Sequence, residues 1–164
     1  MAEVNEFIEL LKQNQNIIHK VCNLYMDNAA DREDLFQEIT LQAWNGFKNF
    51  RSESKFSTWL YRVALNTAIS FFRKEKNKSL FQFTDRLPER EDETVNSEEK
   101  VKALYLAIGS LGKIDKALIM LYLEDYSYEE IGSILGITAN NVAVKMNRVK
   151  TKLKEESKKH YEFS

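Results

Sequence analysis

Ser127-Tyr128-Glu129-Glu130-Ile131-Gly132-Ser133-Ile134-Leu135-Gly136-Ile137-Thr138, continuing Ala139-Asn140-Asn141-Val142-Ala143-Val144-Lys145-Met146-Asn147-Arg148-Val149, is the stretch that decides the fold. Ser127 with Glu130 three residues on is a capping box, so a helix opens here. Ile131, Ile134 and Leu135 give that short helix an inward side. Gly136 suits the left-handed position that ends it, Ile137 packs the turn, and Thr138 caps the next helix. Val142, Met146, Val149 and Leu153 follow at helical spacing and predict the buried side of this second helix. Its free side presents Asn140, Asn141, Lys145, Arg148 and Lys152. A short helix, a turn with Gly and a basic second helix with amides near its start have the geometry for insertion into a DNA major groove. A plain helical hairpin is the alternative. Just upstream, Ala117, Leu118, Leu121 and Tyr122 predict a further helix that stops near Asp125-Tyr126.

Outward from this hairpin the charge pattern divides the chain. The stretch from Phe81 to Lys100 carries seven acids, three bases and the only proline, Pro88. So polar a segment cannot bury enough surface to offset its ordering entropy, which predicts a flexible acidic linker over 81–97. The expected architecture is all-α, with one small helical domain at 1–80 and another at 98–164. From Arg51 to Leu80 seven bases face two acids, and from Lys145 to Lys159 seven bases again face two. Two basic patches are the footprint of a polyanion, although lysines serving only solubility would give a similar count.

Within 1–80, Phe7, Leu10, Leu11, Ile17, Val21 and Leu24 form an apolar stripe. Asp31 is expected to cap the next helix, whose Leu35, Ile39, Ala43 and Phe47 share a buried face. The opposite side carries Glu33, Asp34, Gln37, Glu38 and Gln42, with Trp44 near one end. A solvated helix face and a dock for a basic protein both fit that pattern. After the break at Asn49–Ser54 a helix is expected from about Ser57 to Lys76, buried along Phe56, Leu60, Val63, Ala64, Thr67 and Phe71. Arg62, Asn66, Ser70, Arg73 and Asn77 lie on another face. Bases hold phosphates, amides and hydroxyls reach base edges, and Phe56, Trp59 or Tyr61 could stack on unpaired bases unless they serve as core. The Ser-rich loop (Arg51, Ser52, Ser54, Lys55, Ser57) beside these aromatics suits single-stranded nucleic acid.

The chain has 164 residues and a net charge of −1; the 43% that are apolar suffice for real cores. Five Gly and one Pro argue against turn-rich sandwiches and barrels. No apolar run approaches the ~20 residues of a membrane helix, so no membrane insertion is expected. Met1–Gln15 is acidic, unlike the start of a signal peptide, and a cytoplasmic location follows. The single Cys22 excludes an internal disulfide and most thiolate metal sites. His19 and His160 are far apart in sequence, and there is no nucleophile–base pattern or phosphate loop. No enzyme activity, cofactor or metal is therefore expected.

Three segments resemble a known family. Asp31-Arg32-Glu33-Asp34-Leu35-Phe36-Gln37-Glu38 with Ala43-Trp44 is similar to the core-polymerase-binding segment of bacterial sigma-70 factors. Ser54-Lys55-Phe56-Ser57-Thr58-Trp59-Leu60-Tyr61-Arg62-Val63-Ala64-Leu65-Asn66-Thr67-Ala68 resembles their −10 melting and recognition helix. Tyr128 to Thr138 resembles their C-terminal helix-turn-helix, which reads the −35 element. Two modules and no more match the compact extracytoplasmic-function subfamily. The resemblance implies a factor that binds core RNA polymerase, through the beta-prime coiled coil and the beta flap. It further implies promoter DNA as partner, duplex at −35 and single-stranded at −10, and an anti-sigma factor as regulator.

The resemblance also assigns residues. The polymerase contact would fall to Asp31, Asp34, Leu35, Gln37, Glu38, Gln42 and Trp44. The −10 contact would fall to Arg51, Ser52, Ser54, Lys55, Phe56, Ser57, Trp59, Arg62, Asn66, Ser70, Arg73 and Lys74. Ser127, Thr138, Asn140, Asn141, Val142, Lys145, Arg148 and Lys150 would serve at −35. The chain departs from the family's Gly-Thr-Val-Lys-Ser-Arg-like run in reading Asn140-Asn141-Val142-Ala143-Val144-Lys145. Either Asn141 reads adenine while Lys145 and Arg148 meet guanine or phosphates, or all are phosphate clamps and Ala143 and Val144 meet thymine methyls. Gly132 stands where alanine is common and is expected only to weaken its helix. A helical adaptor that never touches DNA and a one-module repressor are the competing functions. The two basic patches tell against the adaptor, and a repressor leaves Arg51–Lys78 unexplained.

Overall fold

The computed structural model describes residues 2–75, 103–104 and 106–162, and among these no strand occurs. The chain divides into two compact helical units, Met1–Arg86 and Leu87–Ser164. The expected linker at 81–97 and its boundaries lie outside the described residues.

The first unit contains α1 (Ala2–Gln13), α2 (Gln15–Tyr25), α3 (Ala29–Phe47) and α4 (Phe56–Glu75). Helices α2, α3 and α4 pack pairwise, and α1 leans on α2. Ile18, Val21, Leu35, Ile39, Leu60 and Leu65 fill the centre, all fully buried. Asn14 separates α1 from α2: its backbone and side-chain nitrogens both donate to the Leu10 carbonyl. The α2 stripe is accordingly Ile17, Ile18, Val21, Cys22 and Tyr25, and Leu24 is only half-buried.

Two expectations about helix starts and stripes are corrected. Asn28, not Asp31, caps α3: its Oδ1 accepts from the Asp31 backbone N–H at 2.8 Å, and its Nδ2 donates to the Asp31 carboxylate at 2.9 Å. Asp31 thus sits inside the first turn, where a carboxylate also favours the positive helix end. On α4 the buried side is wider than one stripe and includes Tyr61, Leu65 and Ala68, while Val63, Thr67 and Phe71 are half-buried. The reason is that both α2 and α3 press on α4.

In the second unit, helical backbone at 106–109 precedes α5 (Lys113–Leu123), α6 (Tyr128–Leu135) and α7 (Ala139–Glu162). Helices α6 and α7 pack on each other and both pack on α5. Ala117, Leu118, Leu121, Ile131, Ile134, Val142, Met146 and Val149 make this second core.

Candidate functional site

The hairpin α6–α7 is set by local signals. Ser127 Oγ accepts from the Glu130 N–H at 3.1 Å while Glu130 returns a bond from the Ser127 N–H at 2.8 Å. Gly136 ends α6 at φ 79°, the left-handed region in which a Cβ is costly. Thr138 Oγ1 accepts from the Asn141 N–H at 3.0 Å, opening α7. Gly132 is more than a weak helix former. A Cβ there would lie 2.5 Å from the Ile137 carbonyl oxygen, and that glycine's own carbonyl accepts from the N–H groups of both Gly136 and Ile137. The turn therefore folds hard against α6 because position 132 has no side chain.

On α7, Asn140, Asn141 and Arg148 are exposed and Lys145 is half-buried. Val142 is fully buried, which corrects its assignment to the contact face: it seats the helix. Lys150 is also drawn elsewhere. Its Nζ reaches the Tyr128 hydroxyl at 3.4 Å and lies 4.4 Å over the Tyr122 ring. These two phenols, Tyr122 first, favour the ammonium form and raise its pKa. Lys150 ties α7 to α5 and α6, a role its sequence position did not reveal.

In the first unit α3 turns Asp34, Gln37 and Gln42 outward, with Glu38 half-exposed and accepting from Gln42 at 2.9 Å. Leu35 is fully buried and braces the helix from behind, which removes it from the contact residues. Beside this acidic row runs an apolar groove of about 490 Å³, lined by Val4, Phe7, Ile8, Phe36, Gln37, Thr40, Leu41 and Trp44. Leu41 is 51% exposed and Trp44 40%. The groove is not legible in the sequence, because it needs α1 laid beside α3. Its signal was Leu41, an apolar residue on the polar side of α3. Arg32, from the same segment, is structural: its guanidinium donates to the Met26 and Asp27 carbonyls and closes the α2–α3 turn.

The loop between α3 and α4 stands on an aromatic cluster. Phe47 lies 5.2 Å from Phe7 and 6.2 Å from Phe56, and Phe50 lies 5.2 Å from Trp59. Trp59 also rests on Gly46, where a Cβ would touch its ring at 3.4 Å. Phe56 at 8% and Tyr61 at 3% exposure are core, the alternative to base stacking that the sequence left open, and this removes Phe56 from the −10 contact; Trp59 is half-buried. Above the cluster Arg51, Ser52, Ser54 and Lys55 are all exposed and Ser57 is half-buried. Ser52 holds φ 59°, an uncommon conformation for a residue with a side chain. Arg62, Asn66 and Ser70 line the free face of α4; the side chains of Arg73 and Lys74, and residue Asn77, lie outside the described residues.

Both units match family models, Sigma-70 region 2 over residues 10–78 and Sigma-70 region 4 over residues 102–153. RNA polymerase sigma factor YlaC of Bacillus subtilis is 32% identical over 140 residues, 79% of each chain. The chain belongs to the sigma-70 family of RNA polymerase sigma factors, extracytoplasmic-function type. A similar relative is the sigma factor SigW of Bacillus subtilis, 25% identical across 94% of this chain and 90% of that one. In fold, the sigma factor matches RpoE of Bartonella quintana, solved with the anti-sigma factor NepR, at a TM-score of 0.69 and 19% identity over 93% and 97% of the two chains. CnrH, solved with the cytosolic domain of CnrY, matches at 0.61 and 19%, over 91% and 85%. The sigma factor thus directs core RNA polymerase to promoters in transcription initiation. None of its described helices is long and apolar enough to cross a membrane, and no described cluster of His, Cys, Asp and Glu is arranged to hold a metal.

Proposed function

We propose that this cytoplasmic, non-catalytic sigma factor divides its work between its units. The first unit grips core polymerase with the acidic row and apolar groove of α1 and α3. It also holds the separated −10 strand with the 51–55 loop, Trp59, Arg62, Asn66 and Ser70. The second unit reads the −35 duplex with α7. One observation carries this reading: the free face of α7 carries amides and bases, grouped around Val144, opposite a side buried on α5 and α6. That is the arrangement by which a helix enters the major groove with hydrogen-bonding side chains foremost. The acidic row supports the polymerase contact, since carboxylates beside an apolar groove complement a basic, amphipathic helical partner. An anti-sigma factor, as in the complex of RpoE with NepR, is the regulator proposed for this chain.

Gel filtration with core polymerase, followed by promoter-fragment binding with and without core, tests the reading. Co-elution with core and a shift that depends on promoter sequence are expected. Co-elution with no promoter-dependent shift would make the chain an adaptor instead.

A further inference from the structure

We propose that Val144 reads a thymine of the −35 element through the C5-methyl group. The proposal rests on α7 entering the major groove, as argued above. Val144 is 57% exposed, although the residues around it on the free face are polar. With Val142, Met146, Val149 and Leu153 turned into the core, 100° per residue places Val144 within about 20° of the directly opposite side. Asn140 and Asn141 stand one turn before it and Asn147 and Arg148 one turn after, all exposed. A seated α7 therefore brings the isopropyl group to the middle of its contact face.

Neither local structure nor packing asks for valine there. A β-branched residue is a poorer helix former than Lys, Arg or Glu, and Val144 lies outside both cores. Single exposed valines are ordinary on protein surfaces; the ring of hydrogen-bonding neighbours is what distinguishes this one. In the major groove all four base pairs present polar groups, and thymine alone adds a methyl. An isopropyl group pressed on N7, O6 or an amino group would strip water from it without replacing the hydrogen bond. Pressed on the methyl, it removes apolar surface from water on both sides. Ala143 is half-buried and its side chain is a single methyl close to the backbone, so it does not share the contact. Asn141 remains free to pair with adenine and Arg148 with guanine, and the thymine lies between the base pairs they reach.

The test uses holoenzyme assembled from core polymerase and the full chain, which selects binders from duplexes randomised across the −35 element. Each enriched thymine is then replaced singly by deoxyuridine, which lacks only the methyl. One replacement should weaken wild-type binding roughly threefold to fivefold, the effect of deleting one buried methyl from the contact. The same replacement should leave Val144→Ala unaffected, and its selected pool should lose the thymine preference at that position. Val144→Ile should keep it, and both variants should melt with wild type because the side chain is exposed. Equal losses for wild type and Val144→Ala, or a selected pool without thymine in that interval, overturn the proposal while leaving −35 reading intact. A wild-type pool with no enriched sequence overturns both.

Discussion

The two units reach their working surfaces by different physics. In the second, a capping box, one left-handed glycine and a threonine cap fix α6 and α7, and the exposed polar face of α7 follows from helical periodicity. In the first, the loop rests on rings drawn from α1, α3 and α4, and the apolar groove proposed as a dock exists only where α1 lies beside α3. One surface is written in consecutive residues; the other also needs partners far apart in sequence, as Phe7 and Phe47 are. Substitutions should therefore act locally in the second unit and at a distance in the first.

The strongest way to break this contrast is Phe47→Ala. Phe47 is nearly buried and meets Phe7, Phe50, Phe56 and Trp59. Its loss should cost about 3–5 kcal/mol, the range for large-to-alanine changes in a core. Thermal melts should show the first unit unfolding early while a separate transition persists for the second. A single unshifted transition would mean that the rings do not brace the unit.

Asp34→Arg should weaken core-polymerase binding by roughly 2–3 kcal/mol through like-charge contact, with helicity and melting temperature nearly unchanged. Titration of labelled chain with core measures it, and unchanged affinity would remove the acidic row from the interface. Gly132→Ala is a smaller and more pointed case. Helix propensity alone would stabilise α6 by up to about 1 kcal/mol. The Ile137 carbonyl at 2.5 Å from the added Cβ opposes this, and a net loss of about 1–2 kcal/mol is expected from overpacking against backbone. A higher melting temperature would show that the turn relaxes freely.

Cys22 reports on the first unit alone, because it is the only cysteine. Burial raises its pKa from 9.0 to about 11, against an opposing pull from Arg32. A group whose pKa is raised by folding lends stability that is fully present below its unfolded pKa. That stability falls as pH climbs from about 9 towards 11. The native chain should resist iodoacetamide at pH 8 and the urea-unfolded chain should react at once. Equal rates would mean that α2 does not seal the thiol.

Much of the fold was legible because helix signals are local. The Ser127–Glu130 box, Gly136 and the Val142–Met146–Val149 spacing each name their own partners within one or two turns. Tyr61, Leu65 and Ala68 were missed because a helix pressed from two sides buries more than one stripe. Asp31 reads as a cap in the sequence because Asp and Asn are both good caps, and only geometry shows Asn28 accepting the bond. The tie from Lys150 to Tyr128 spans 22 residues and the groove joins α1 to α3, so neither could appear in a local pattern. Both basic patches are visible in the charge count, but a lysine that reaches across to Tyr122 and Tyr128, as Lys150 does, has no local mark that sets it apart from its neighbours.

The division of labour between the units is tested most directly by transcription with core polymerase on one promoter, supplied fully paired or already opened across the −10 region. Wild type should initiate on both templates. A variant carrying Arg51→Ala, Ser54→Ala and Asn66→Ala should fail on the paired template and recover on the opened one, whereas Asp34→Arg, at a chain concentration that just saturates core with wild type, should lose most initiation on both. If the opened template does not restore the loop variant, or if Asp34→Arg initiates as wild type does, the assignment of polymerase grip and strand opening to these surfaces is contradicted.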